Sequence, residues 1–377
     1  MTGIMKELMS STAIAHGQRF LSNSYCFDDE PTVETSADND RTFKCLESAE
    51  TDPSNEPHDL SRLISKLSSV PSCFRYFLDG SRRVFKIDDA EFDGDIYPIA
   101  AGQIGIACCR RDGRELAKEF FERKLVLVLP NCALRQSREY LRAELLKDLN
   151  AAPTLKFNAL TVDKVLLYNL DTGFTFEAKA IAAVQNFMLE CERHAVMGMA
   201  ERRKLSKGAY LIKDGSLEYF ANDYHRGDAF DWVLGVSKTF NPSRCCVRLE
   251  RKKLYVDPMM VARLNKFERT NAYRYPMTVA GNEINFCVWY VRLHENLFGR
   301  HAFDGVVKVE KLMKRSEIQA GVDSERLDLI SAHLMRERNP VCYGADARWA
   351  NHIYPMYVTE QFAKSNYIDS RLFLKLF

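Results

Sequence analysis

The feature that most constrains the fold is one long helical pattern between strand-like segments. Residues 176–205, FEAKAIAAVQNFMLECERHAVMGMAERRKL, carry apolar side chains at spacings of three and four. That spacing produces the single buried stripe of an amphipathic helix. A long helix between strands predicts a mixed α/β or α+β fold. The predicted stripe consists of Ile181, Val184, Met188, Cys191, Ala195 and Met199.

Apolar runs of strand length flank this helix on both sides. Short polar turns separate them, and none approaches the roughly 18 apolar residues of a membrane-spanning helix. The segment VDKVLLYNL fits a strand or a helix equally well. The predicted strands before the helix are CFRYFL, RRVFKI, YPIAAGQIGIACC and RKLVLVLP, and those after it are AYLIKD, FDWVLGVSK, RCCVRLE, NEINFCVWYVRL and GVVKVEKL. Further helices are predicted in CALRQSREYLRAELLKDLNA, DSERLDLISAHLMRE and the closing HIYPMYVTEQFAKSNYIDSRLFLKLF.

The first 58 residues differ in composition from the rest of the chain. They are acidic, rich in Ser, Thr, Asp and Pro, and poor in apolar periodicity. Such a composition favours a flexible or loosely docked segment. We therefore expect a flexible acidic extension over residues 1–58 and one globular domain over residues 59–377.

Charge and cysteine content limit the possible partners and compartment. The formal net charge is +2, so a polyanion would have to be met by a local basic patch. The 11 cysteines form no C-x-x-C pair, and adjacent cysteines such as Cys108 and Cys109 point to opposite faces of a strand, which disfavours zinc. With no signal peptide, this pattern predicts reduced thiols and a cytoplasmic protein.

The tripeptide Asp-Gly-Ser occurs twice, each time directly after an apolar run. The copies are Asp79-Gly80-Ser81 and Asp214-Gly215-Ser216. Each copy can be an ordinary hairpin turn. Alternatively, two carboxylates at the ends of rigid strands can share a divalent cation, and oxygen ligands select Mg²⁺ or Mn²⁺. The local pattern leaves both interpretations open.

The long helix offers a third acid for such a site. Glu192 lies beside the apolar stripe, one turn from Met188 and Ala195, so it can face a neighbouring sheet. Glu190 lies further round the helix. Glu201, in AERRK, fits a solvated pair with a neighbouring basic residue. Each of the three also fits an ordinary charge on a helix surface.

The order of these motifs resembles the NurA family of nucleases. The resemblance covers the chain from about residue 70 to the end. It rests on FLDGSR, a long helix with a glutamate, LIKDGSL, GVSKTF some twenty residues on, and the closing YPMYVTEQFAK. It implies an RNase H-like, Piwi-like mixed sheet flanked by helices, with additional strands and helices.

The resemblance also implies roles for individual residues. Asp79 and Asp214 match metal-binding aspartates, and Glu192 matches the helical glutamate, with Glu190 as the alternative. Lys238 matches a basic residue suited to a scissile phosphate, and Tyr354 matches the tyrosine of the closing motif. The implied cofactor is Mn²⁺ or Mg²⁺.

One position departs from the family pattern. The family has a histidine eight residues after the closing tyrosine, and this chain has Phe362 there. Phenylalanine neither binds a metal nor transfers a proton. Gln361 is adjacent but would bind a cation weakly, and His352 lies two residues before Tyr354.

Three functions follow as hypotheses. The first is a metal-dependent DNA nuclease that, as the resemblance implies, acts as a homodimer with a hexameric HerA-type ATPase, in 5′–3′ DNA end processing and repair or in antiphage defence. The chain has no G-x-x-x-x-G-K-[ST] loop, so a partner would supply energy from ATP. The second is a catalytically impaired relative that binds DNA or the ATPase, which the loss of the histidine favours. The third is a globular protein whose two tripeptides coincide by chance.

Overall fold

The computed structural model describes most of the chain. The described residues are 3–27, 47–54, 56–135, 139–218, 230–241, 247–250, 253–279, 282–295, 302–338 and 349–377. The most acidic part of the first 58 residues, 28–46, and the cysteine pair at 245 and 246 lie outside them.

The described residues form a large mixed sheet flanked by helices, as predicted. The strands are β1 Gly17–Phe20, β2 Tyr25–Cys26, β3 Glu47–Ser48, β4 His58–Asp59, β5 Phe74–Phe92, β6 Asp95–Asp112, β7 Glu115–Pro130, β8 Lys164–Tyr168, β9 Tyr210–Asp214, β10 Val233–Ser237, β11 Val247–Glu250, β12 Lys253–Val256, β13 Glu268–Arg269, β14 Tyr273–Val279, β15 Asn282–Arg292 and β16 Val306–Leu312. The helices are α1 Ile4–Ser10, α2 Ser61–Lys66, α3 Glu139–Asn150, α4 Pro153–Phe157, α5 Phe176–Glu201, α6 Pro258–Ala262, α7 Arg315–Ala320, α8 Ser324–Arg336, α9 Tyr354–Ser365 and α10 Ser370–Leu374.

The sheet combines antiparallel and parallel pairs in the order β3-β14-β15-β16-β10-β9-β5-β6-β7-β8. β5, β6 and β7 form two long antiparallel pairs, since short turns connect them. β9 returns parallel to β5 after the long helix α5, and β10 lies parallel to β9. A parallel return needs such a crossover helix. β9 and β10 therefore lie in the middle of the sheet.

The first Asp-Gly-Ser is not a turn. CFRYFL and RRVFKI, predicted as two strands, belong to the single 19-residue strand β5. Asp79, Gly80 and Ser81 pair in register with Ala107, Ile106 and Gly105 of β6. The continuous partner strand keeps the tripeptide extended, because every residue finds its pair on β6. The hairpin interpretation is wrong for this copy.

The helix predicted over residues 176–205 is confirmed as α5, which ends at Glu201. Thr175 caps its N-terminus by accepting a hydrogen bond from the Ala178 N–H. The buried face includes the predicted Val184, Met188 and Met199 and also the carboxylate of Glu192. The ambiguous VDKVLLYNL contains a strand, β8, because it pairs with β7. The closing segment forms two helices, α9 and α10.

The N-terminal residues differ from the expected flexible extension. α1 carries three fully buried side chains, Ile4, Met5 and Leu8. Their spacing places them on one side of a short helix, and they join the core around the ends of β5, β6 and β7. β1 and β2 pair with β5, and β3 and β4 pair with later strands. Apolar burial of α1 and the pairing of the short strands thus anchor residues 3–27 and 47–54. In the described chain, no helix is long and apolar enough to cross a membrane.

Candidate functional site

A cleft of about 490 Å³ lies where the parallel strands β9 and β10 end. β9 ends at Asp214, and Gly215 then adopts a positive φ of 84° that turns the chain away. β5 continues past this point, so its flank borders the cleft. Open α/β sheets bind ligands in such crevices outside the carboxyl ends of their strands.

The two repeated aspartates come together in this cleft. Leu78 of β5 pairs in register with Lys213 of β9, so the next residues, Asp79 and Asp214, lie side by side. Neighbouring strands are about 4.8 Å apart, which brings the two carboxylates into the same space. The second Asp-Gly-Ser is therefore the end of a strand, while the first supplies its aspartate from mid-strand.

Asp79 is buried without a compensating charge of its own. Its exposed fraction is 5%, and no described residue forms a hydrogen bond or an ion pair with its carboxylate. Burial, and after it the charge of Asp214, raises the pKa of Asp79 well above its ordinary value. An unpartnered, buried carboxylate is costly to keep, which is typical of functional sites.

Lys238 follows β10 directly and bridges two acids. Its Nζ lies 3.0 Å from Asp214 Oδ2 and 3.1 Å from Glu360 Oε2 on α9. Burial alone would lower the pKa of Lys238, but Asp214 and Glu360 raise it. Burial alone would raise the pKa of Glu360, but Lys238 and Lys364 lower it to about 2. The lysine is therefore charged and bound to the acids.

Glu192 reaches the cleft and pairs with a second lysine. Its Oε2 lies 2.9 Å from Nζ of the buried Lys213. A Cβ added to Gly80 would lie 2.5 Å from Glu192 Oε1, so only glycine leaves room for the carboxylate. Burial alone would lower the pKa of Lys213, but Glu192 raises it. Glu190 instead forms a surface ion pair with Lys164, 3.1 Å away, and does not line the cleft.

Glu310 on β16 holds the second Asp-Gly-Ser in place. It accepts hydrogen bonds of 2.8 Å from the Ser216 hydroxyl and the Leu217 N–H. It also pairs with Lys308, which lines the cleft. Gly235 of β10 permits the close approach, since a Cβ there would lie 2.8 Å from the Gly215 carbonyl oxygen. The turn after Asp214 is therefore rigidly supported.

The closing motif contributes through a residue that the sequence analysis did not single out. Tyr354, at the start of α9, is 45% exposed and does not line the cleft. Phe362 packs its ring against Phe121 with centroids 5.8 Å apart, and His352 is buried beside Tyr357. Glu360 is the side chain of α9 that lines the cleft.

Two residues of the site, Lys213 and Glu360, were missed by sequence reasoning. Both had a signal. Lys213 is a charge that directly follows the apolar residues of the strand YLIKD, and a buried lysine needs a carboxylate partner. Glu360 follows Met356 by four residues and precedes Ala363 by three, so it lies on the buried side of its helix.

The donor set fits a hard divalent cation in its chemistry. The available ligands are carboxylate oxygens, which Mg²⁺ and Mn²⁺ prefer. The unpartnered carboxylate of Asp79 is the observation that favours a missing positive charge. Among the described residues, however, no three acidic, thiol or imidazole groups already surround a common point. Lys213 already pairs with Glu192, and Lys238 with Asp214 and Glu360.

Comparisons with known proteins show a distant structural likeness. No protein-family profile and no curated protein match the sequence. Among solved structures, the crystal structure of the NurA nuclease from Sulfolobus solfataricus matches with a TM-score of 0.36 and 9% sequence identity. The match covers 81% of this chain and 83% of that one. At this distance the function has to be argued from the cleft itself.

Proposed function

We propose that this chain is a divalent-metal-dependent nuclease that hydrolyses phosphodiester bonds of DNA in the cleft. The observation that carries the proposal is the adjacent pair Asp79 and Asp214, brought together from two strands, with Asp79 buried and unpartnered. A polar, acidic cleft supported by rigid strands suits a cation and a phosphate better than an apolar ligand.

Asp79 and Asp214 would hold Mn²⁺ or Mg²⁺, with Glu192 as the third acid. When bound, such an ion lowers the pKa of a water molecule and stabilises the charge that develops on the phosphate. β5 and β9 fix the two aspartates, because their backbones are paired on both sides up to this point. Gly80 fixes Glu192 by leaving space for it.

Lysines of the cleft would bind and orient the phosphate. Lys238 and Lys308 both line the cleft, and an ammonium near a phosphate stabilises its negative charge. Gly215 has no side chain, so a ligand can approach the protein backbone closely at this position. Tyr354 stays a proposed site residue on the sequence resemblance, although it lies outside the cleft lining.

The wider assignment rests on the order of motifs in the sequence. We propose a homodimer that works in the cytoplasm with a HerA-type hexameric ATPase, which feeds it DNA for 5′–3′ end processing or for degradation of foreign DNA. The chain carries no nucleotide-binding loop of the G-x-x-x-x-G-K-[ST] type, so the energy of translocation would come from that partner.

A plasmid degradation assay with Mn²⁺ tests the activity. We expect Asp79→Asn and Asp214→Asn each to lower the cleavage rate about a hundredfold or more, because each removes a charge that positions the reacting centre. Glu192→Gln should lower it as well. Glu190→Gln is the matched control on the same helix and should cut like the wild type. Equal cleavage by all variants would exclude this site.

The second candidate is a non-cutting subunit that binds DNA or the ATPase. It is favoured by Phe362, which stands where the resemblance places a histidine, and by Lys238, which already neutralises Asp214. The assay separates the two functions. DNA binding without cleavage in either Mn²⁺ or Mg²⁺, with the ATPase present, would support the non-cutting subunit.

A further inference from the structure

Lys238 occupies the position between two acids where a cation would be expected. Its Nζ lies 3.0 Å from Asp214 Oδ2 and 3.1 Å from Glu360 Oε2, so a single ammonium is shared by carboxylates from β9 and α9. The side chain is only 13% exposed. The pair of contacts keeps α9 tied to the end of β9.

Glu360 lies on the same side of the sheet as Asp79. Successive side chains of a strand point to opposite faces, so Asp79 and Ser81 share one face and Gly80 belongs to the other. The Tyr367 hydroxyl, just beyond α9, donates to Ser81, which identifies the face of Asp79 as the α9 side. Glu192 contacts Gly80 from α5 and is neutralised by Lys213.

We propose that Lys238 is a built-in placeholder cation, which a divalent ion displaces so that Glu360 joins Asp79 and Asp214 as a metal ligand. The inference rests on the proposed function and extends it. The displaced ammonium then becomes available to a phosphate in the cleft. Glu360, which lines the cleft, would supply this ligand from α9.

The charges on this side of the sheet favour such an exchange. Three carboxylates, Asp79, Asp214 and Glu360, face one ammonium, and Asp79 has no described partner. A doubly charged ion compensates them better than a single charge. Lysine has a flexible stem with several rotatable bonds, so its head can move without moving the strand. Lys213 is less able to move, because it is fully buried between Glu192 and the Asp214 carbonyl.

Mn²⁺ binding to the metal-free full chain tests the exchange, with free Mn²⁺ measured by electron paramagnetic resonance. Lys238→Met should bind Mn²⁺ about tenfold more tightly than the wild type, because the competing ammonium is gone. Glu360→Gln should bind about tenfold more weakly, because a ligand is lost.

Lys364→Met is the matched control. Lys364 pairs with the same carboxylate, at 2.7 Å from Glu360 Oε1, but its side chain is 49% exposed. The substitution removes one positive charge beside Glu360, but on the solvent side, where water screens its interaction with the carboxylate. The Mn²⁺ affinity should therefore change less than about threefold.

Thermal unfolding guards against variants that fold poorly. In EDTA, Lys238→Met should unfold at a lower temperature than the wild type, and Mn²⁺ should raise that temperature more than it does for the wild type. If Lys238→Met does not fold even with Mn²⁺, Glu360→Gln decides, and wild-type Mn²⁺ affinity in that variant overturns the inference.

The outcomes separate this inference from the proposed function. If Asp79→Asn and Asp214→Asn weaken Mn²⁺ binding while Lys238→Met and Glu360→Gln bind like the wild type, only the placeholder role fails. If no variant and no wild-type chain binds Mn²⁺, the metal site fails and the proposed function fails with it.

Discussion

Asp79 makes the stability of the protein depend on pH. Its carboxylate is buried beside Asp214, and burial together with that charge raises its pKa. A raised pKa in the folded state means that the folded state binds a proton more tightly than the unfolded state does. The stability that protonated Asp79 contributes is therefore fully present below the pKa of the unfolded state, near 3.8. It is lost as the pH rises through the raised pKa of the folded state.

Asp79→Asn should consequently stabilise the protein at pH 7 in EDTA. The gain should shrink towards pH 3, where Asp79 is protonated in both states. Urea unfolding at the two pH values measures it. Asp112→Asn, at the exposed end of β6 with a side chain 70% accessible, should change the free energy of unfolding by no more than about 0.5 kcal/mol. A destabilised Asp79→Asn at pH 7 would contradict the argument.

The close contact between Gly80 and Glu192 can be tested by adding a methyl group to Gly80. Gly80→Ala should cost about 1–3 kcal/mol, since the new Cβ would lie 2.5 Å from Glu192 Oε1 and the carboxylate would have to move. Gly198→Ala, on α5, meets no atom within 4 Å and should stabilise by about 0.5–1 kcal/mol, because alanine favours the helix. Denaturant unfolding compares them, and equal effects of both changes would refute the packing argument.

At the scale of elements, the sequence pattern predicted the longer helices and most of the longer strands but not all of their ends. α5 and α8 were recognisable from their apolar stripes, because a helix buries side chains at regular spacing. β5 was predicted as two strands, since Asp-Gly-Ser is a local turn signal. Whether the signal is obeyed depends on β6, a partner that local sequence does not reveal.

The short helix α1 should contribute to stability through its buried side chains. Leu8→Ala should cost about 2–5 kcal/mol, because Leu8 is fully buried in the core. Lys6→Ala, on the exposed side of the same helix, should stay within about 0.5 kcal/mol of the wild type. Chemical denaturation followed by circular dichroism measures both. A Leu8→Ala chain as stable as the wild type would mean that the N-terminal segment is only loosely docked.

At the scale of the whole molecule, one buried ionic network joins distant parts of the chain. Arg269 on β13 pairs with Glu50 at 2.9 Å and with Asp328 of α8 at 2.6 Å. Glu50 also accepts a 2.6 Å hydrogen bond from the Ala272 N–H. The side chains of Arg269 and Glu50 are fully buried, so the residues after the acidic N-terminal stretch are part of the globular unit.

Breaking this network should be far more costly than breaking a surface pair. We expect Glu50→Gln to cost about 3 kcal/mol, because Arg269 keeps its buried charge and loses one of its partners. Glu283→Gln removes a mostly exposed partner of Arg274, 3.1 Å away, and should cost less than about 1 kcal/mol. Urea titrations of the two variants give the comparison, and similar losses would contradict it.

The sequence by itself indicated the mixed α/β class and the long helix, because periodicity carries that information, and its order of motifs offered Asp79, Asp214 and either Glu192 or Glu190 as candidate acids. Only the tertiary structure placed Glu192 beside Gly80 and Glu190 in a surface pair, extended the first Asp-Gly-Ser through a strand, and brought Lys213, Lys238 and Glu360 to the acids. These outcomes depend on which distant strands and helices pair, and a buried charge is satisfied by whichever partner the fold brings near. Local sequence does not encode that proximity.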